Sequence, residues 1–204
     1  MNRLVAIGLL AFALAGCGSG KSSDEPAAST KPSSPPPMAT TPTTTTTVAC
    51  SRLDGAGLGP VATGEVEGQQ TMFLTGVSVV SAECSDTVTF TFEKHAPGPG
   101  YEISYEPADT AKTEDGSGRP VAVRGDAFLV VRLKPAMTAK IEGDQLTKTY
   151  TGPRRIPGGA GSVVQEVVKT GDFENVVTWV IGLDQKHRYT ASADFTHLAV
   201  EIER

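Results

Sequence analysis

The chain has 204 residues, 18 Lys and Arg against 23 Asp and Glu, 6% aromatic residues and a single Trp. Arg3, Lys21, Lys31, Asp24 and Glu25 all precede residue 50, which leaves 15 cations against 21 anions in the remainder. That acidic balance excludes a nucleic-acid partner, which needs a basic surface to release counterions. It also means that attachment to a membrane cannot rest on basic residues.

Met1-Asn2-Arg3 is a short basic start, followed by the apolar run Leu4 to Ala15. A spanning helix needs roughly 20 apolar residues, so this run reads as a secretory signal. It ends in Leu14-Ala15-Gly16-Cys17, which resembles the lipobox of bacterial lipoproteins. The resemblance implies that residues 1–16 are a signal peptide, removed before Cys17, and that the Cys17 thiol carries a diacylglyceryl group. The expected location is therefore the outer face of the cell membrane, held by lipid. One acyl chain holds only marginally and two or more hold stably.

Residues 17–49 follow as the lipidated Cys and a tether, with Pro26, Pro32, Pro35, Pro36, Pro37 and Pro42 leading into Thr43 to Thr47. Such a segment buries too little apolar surface to offset its ordering entropy, so a disordered tether is expected. It spans roughly 30 Å as a coil and on the order of 100 Å as polyproline II. Order is expected from residue 50, as one domain over residues 50–204. With Cys17 lipidated, Cys50 and Cys84 remain as an even pair in an oxidising compartment, which favours a disulfide. That bridge would stabilise by roughly 3–4 kcal/mol. Two free thiols are the alternative, and a metal site lacks ligands at the needed spacing.

The domain reads as all-β. Strands are predicted at Met72–Val80, Thr87–Phe92, Tyr101–Tyr105, Ala127–Leu133, Ser162–Thr170, Asn175–Leu183, Arg188–Phe195 and His197–Glu203. Thr87–Phe92 alternates strictly, whereas Ala127–Leu133 is nearly continuous apolar, as in a strand covered on both sides. About eight or nine strands at this spacing predict an antiparallel β-sandwich or an open barrel. Long connections are expected at 107–119 and 135–161, and loops of that length are usually functional or mobile.

Four segments then occur in order: Pro99 to Tyr105, Asp115 to Val121, Tyr150 to Arg155, and Gly171 to Asp184. They resemble the AMIN-like domain of lipoproteins and exported proteins from high-GC Gram-positive bacteria, over roughly residues 72–204. The resemblance implies a β-sandwich and, through the more distant AMIN domains, a module that contacts the cell envelope. Two departures are visible: no catalytic domain is fused to this sequence, and Asp86-Thr87 stands where relatives often carry an acidic-Arg pair.

Candidate ligand-binding residues are Tyr101, Arg119, Tyr150, Arg154 and Arg155. Arg154 and Arg155 would form a cationic clamp for carboxylates or teichoic phosphates, unless they pair with nearby acids or merely solubilise the loop. Tyr150 and Tyr101 would stack on a sugar, unless their rings lie in the core. Trp179 shares a face with Val177, Ile181 and Leu183 and reads as core. Asp115 to Arg119 reads as a tight turn and not a calcium loop. His95, His187 and His197 sit in no triad or metal pattern, and Asp172 and Glu174 form no marked hydrolytic pair. No catalysis, cofactor or metal is expected. The function expected is a membrane-anchored, non-catalytic lipoprotein whose domain binds an envelope component, peptidoglycan or an envelope protein. A lipid or glycolipid carrier is the alternative, and a cell-wall hydrolase stands third.

Overall fold

The computed structural model describes residues 49–63, 69–93 and 98–204. The signal, Cys17, the Pro/Thr tether and His95 lie outside the described residues.

In chain order the first strands are β1 (Val61–Ala62), β2 (Met72–Ser81), β3 (Ser85–Phe92) and β4 (Tyr101–Glu106). A single helical turn, α1 (Ala108–Ala111), precedes β5 (Ala127–Leu133), β6 (Ala136–Met137), β7 (Ala139–Glu142) and β8 (Gln145–Lys148). The chain closes with β9 (Arg155–Pro157), β10 (Val164–Phe173), β11 (Val176–Leu183), β12 (Tyr189–Ala193) and β13 (His197–Glu203). They form a six-stranded sheet in the order β1-β4-β5-β11-β10-β9 and a five-stranded sheet in the order β12-β13-β3-β2-β6. The strands β7 and β8 pair only with each other. All pairings are antiparallel except β2 with β6.

Side chains of both large sheets meet in one core, as in a sandwich. Val88, Phe90 and Phe92 of β3 enter it with Leu129, Val131 and Leu133 of β5 and Trp179 and Ile181 of β11. The alternation of β3 decides this geometry: its Val and Phe residues are buried and Thr87, Thr89 and Thr91 are half-buried on the other face. β5 is buried on both faces, as its continuous apolar sequence predicts. Phe128 and Val130 point away from the main core and, with Val168 and Val180, meet Ala111 and Val123 in a second cluster. The segment from α1 to Val123 is therefore the cover of the six-stranded sheet.

All eight predicted strands are present, with ends displaced by a few residues. Two long connections are corrected. The stretch 107–119 contains α1, and 135–161 contains β6, β7, β8 and β9. Those strands have two to four residues each. Alternation needs several residues to show, and β8 is exposed at every position, so no hydrophobic pattern marks it. The Lys134-Pro135 peptide is cis and sits just before β6. Cys50 and Cys84 form a disulfide with a Cα–Cα distance of 5.3 Å. It ties the start of the described chain to the turn between β2 and β3.

Candidate functional site

The β10–β11 hairpin builds the floor of the site. Its two turn residues, Glu174 and Asn175, have φ of 50° and 61°, the paired positive values of a type I′ turn that follows strand twist. On β10 a bulge lies between Lys169 and Gly171. A Cβ on Gly171 would stand 1.8 Å from Asp115 Oδ2, so only glycine admits the Asp115 turn against the sheet. Thr178 Oγ1 donates to that same carboxylate oxygen at 2.5 Å, and Asp115 N–H donates to Thr170 O at 3.1 Å.

The docked turn presents Glu114 to two arginines. Arg119 donates to Glu114 Oε2 through Nε (3.0 Å) and Nη2 (2.7 Å), and Arg154 Nη2 donates to Oε1 at 2.9 Å. Ser117 Oγ adds a hydrogen bond at 2.7 Å. The hydrogen bonds from Ser117, Arg119 and Arg154 hold the Glu114 carboxyl at about 2. Arg154 Nε is itself fixed on Lys169 O at 2.9 Å.

Arg155 diverges from its neighbour. Its Nη1 donates to Glu166 Oε1 at 2.5 Å and its Nη2 to Ala122 O at 2.7 Å. Glu166 is 1% exposed and also accepts the Arg124 backbone N–H at 2.5 Å. Burial pushes its carboxyl up, but hydrogen bonds from Arg155 and the Arg124 amide, with both charges, bring it below the usual range. The two arginines thus hold different carboxylates and do not make one clamp. Arg119 and Arg154 are the pair that meets, on Glu114.

Tyr150 lies beside them, but its ring is buried, edge-on to Trp179 at 5.5 Å between centroids. Its hydroxyl donates to Pro153 O at 2.8 Å, and burial raises its pKa. Tyr101 is buried with Ile103 on the core face of β4, apart from these residues. Trp179 is fully buried, as its parity with Ile181 predicts.

Around Tyr150 and Arg154 opens a cleft of about 630 Å³. Leu146 and Lys148 of β8 form one wall and Lys169, Asp172 and Phe173 of β10 another. Phe173 is 54% and Leu146 69% exposed, so the aromatic face on offer in this cleft is that of Phe173 and not the buried Tyr150. Lys169 Nζ lies 3.3 Å from Asp172 Oδ2, and Thr138 Oγ1 donates to that same oxygen. Lys148 has no ion-pair partner among the described residues.

Sequence reasoning missed Phe173, Lys148, Glu166 and Asp86. The last is fully buried, with Ser162 Oγ (2.6 Å) and the N–H groups of Val163 (2.7 Å) and Val164 (3.2 Å) donating to its Oδ2. Burial opposes its charge, yet the hydrogen bonds from Ser162, Val164, Ser81 and Val163 together lower its pKa. Its signal was present: Asp86 shares parity with Val88, Phe90 and Phe92, an acid on the buried face of an alternating strand. His187 and His197 each sit against an acid three residues earlier, Asp184 and Asp194.

The sequence profile of the AMIN-like domain matches residues 72–204. This chain belongs to the AMIN-like domain family. Neither the curated proteins nor the solved structures give a match. The AMIN-like region begins with Met72 at the start of β2 and takes in the whole cleft. Cys84 is inside it and Cys50 is outside, so the disulfide joins the AMIN-like region to the segment before it. AMIN-like domains generally serve as non-catalytic binding modules outside the cytoplasm. Among the described residues, no three His, Cys, Asp or Glu are placed to hold a metal, and no helix is long and apolar enough to cross a membrane.

Proposed function

We propose that this AMIN-like protein is a lipid-anchored, non-catalytic lipoprotein on the outer face of the cell membrane, whose domain binds an envelope component, peptidoglycan or an envelope protein. One observation carries the reading: within the AMIN-like region, a cleft sets the exposed Phe173 and Leu146 beside Lys148, which has no ion-pair partner among the described residues, and beside Arg154 and Lys169, which pair with the cleft carboxylates Glu114 and Asp172. Peptide stems and wall polymers supply anions, and Glu114 and the Lys169 carbonyl hold Arg154 in place before any ligand arrives. A preorganised guanidinium loses less entropy on binding than a free one. Cys17, the Pro/Thr tether and the membrane belong to the same reading, with the lipid as anchor and the tether as spacer.

The test is retention of residues 50–204 on insoluble peptidoglycan, at low and high salt, beside a Lys148→Ala/Arg154→Ala double variant. This fragment contains both sheets, the core and the disulfide. The expected result is salt-sensitive retention that the double variant loses. Absence of retention in either form would remove peptidoglycan as the ligand and leave an envelope protein. For the anchor, Cys17→Ala should move the full chain out of the membrane fraction, and unchanged membrane retention would overturn lipidation.

A further inference from the structure

The β7–β8 hairpin pairs with neither large sheet. Its register pairs Ala139 with Lys148, Lys140 with Thr147, Ile141 with Leu146 and Glu142 with Gln145. One residue further, Thr149 N–H donates to Thr138 O at 2.9 Å, which sets the phase of the ladder. Bonded and non-bonded positions alternate in an antiparallel pair. The positions 138/149, 140/147 and 142/145 therefore exchange hydrogen bonds, and Leu146 and Lys148 turn their N–H and C=O groups away from β7. These four groups have no partner among the described residues.

The side chains of the same two residues line the cleft. Leu146 lies directly opposite Ile141, and the two are 69% and 75% exposed. Proteins commonly blunt an open edge with charge, twist or a cover; here Lys148 is the one charge on β8, and Leu146 stands uncovered beside it. Arg154 and Lys169 each have an ion-pair partner, Glu114 and Asp172, which leaves the Lys148 ammonium as the cleft cation without one among the described residues.

We infer that β8 is a docking edge for an extended, carboxylate-bearing peptide, which adds to the β7–β8 hairpin as a third strand. Leu146 and Lys148 would supply up to four main-chain hydrogen bonds, the recognition mode of strand addition. The Lys148 ammonium takes the carboxylate, and an apolar side chain lies against Leu146 and Phe173. The inference rests on the envelope reading of this cleft and deepens it, naming peptide and not sugar as the part recognised. An extended peptide repeats N–H and C=O groups at the spacing of the Leu146 and Lys148 backbone groups, and a sugar does not.

The experiment uses the full chain in detergent and the acetylated hexapeptide Thr-Val-Thr-Val-Val-Ala with a free C-terminal carboxylate as probe. Its C-terminal amide and two forms N-methylated at alternate residues, one in each phase, are the comparisons. Saturable amide shifts are expected at Leu146, Lys148 and Phe173. Amidation of the probe and Lys148→Ala should each weaken binding roughly threefold to tenfold, and one N-methylated phase should not bind. Leu146→Pro should abolish binding, since the N–H it removes is not used in the β7 ladder. If that variant disturbs the hairpin, Lys148→Ala and the N-methylated probes carry the test. Absence of shifts in β8, or binding indifferent to N-methylation in both phases, would overturn the inference. So would peptidoglycan retention that survives an intact-hairpin Leu146→Pro, which would leave the envelope reading standing. Probe binding without wall retention would support the docking edge and remove peptidoglycan.

Discussion

Glu114 accepts hydrogen bonds from Ser117, Arg119 and Arg154, and these hold its carboxyl at about 2. Removing one donor releases part of that hold, so Arg154→Ala should raise the Glu114 pKa toward the ordinary value of about 4.3, read by carbon-detected NMR titration. An unchanged value would show that Arg119 and Ser117 suffice. Asp86 and Glu166 are different in kind, because both are buried. Asp86→Ala strands the Val163 and Val164 N–H groups and should cost about 2–4 kcal/mol in a urea melt followed by Trp179. Both folded carboxyls lie below their unfolded values. Their stabilisation is thus complete above the unfolded carboxyl range of about 4–4.5 and is lost as pH falls through the lower folded values. Glu166→Gln should flatten that acid limb, and an acid limb as steep as that of the unaltered chain would contradict the assignment. At this scale the sequence was informative by residue type, and silent about pairing. Two adjacent arginines read as one clamp, yet β9 sends Arg155 to Glu166 while Arg154 reaches Glu114.

Among the elements, long alternating strands were readable and short polar ones were not. β3 and β13 follow their pattern residue by residue, since a half-buried strand must alternate. β8 has no buried position, and only the register with β7 makes it a strand. The β10–β11 turn carries Glu174 at φ 50°, a conformation that costs a non-glycine residue roughly 1 kcal/mol. Glu174→Gly should therefore stabilise by about 0.5–1 kcal/mol, visible as a raised midpoint in thermal unfolding. Gly171→Ala should do the opposite and by more, because its Cβ would meet the Asp115 carboxylate. The family segment from Gly171 to Asp184 thus contains the bulge glycine, the hairpin turn and the core tryptophan together.

For the whole molecule, the Cys50–Cys84 bridge joins the segment before the AMIN-like region to the β2–β3 turn. Reduction should lower stability by roughly 3–4 kcal/mol, measured as urea midpoints with and without reductant. Two alkylatable thiols in the native exported protein would contradict the bridge. What the sequence alone determined was what depends on local pattern and composition: an all-β domain, its eight long strands and the burial of Trp179. Periodicity is a one-dimensional property, and a buried sheet face imposes it on every long strand. The cleft was decided only by tertiary structure. Its parts come from the Glu114 turn, the β7–β8 hairpin and the end of β10, stretches far apart in the chain. Which arginine meets which acid, and which aromatic stays uncovered, depends on how those elements pack. No spacing along the chain encodes that, because the contacts are made across sheets and loops and not between neighbours.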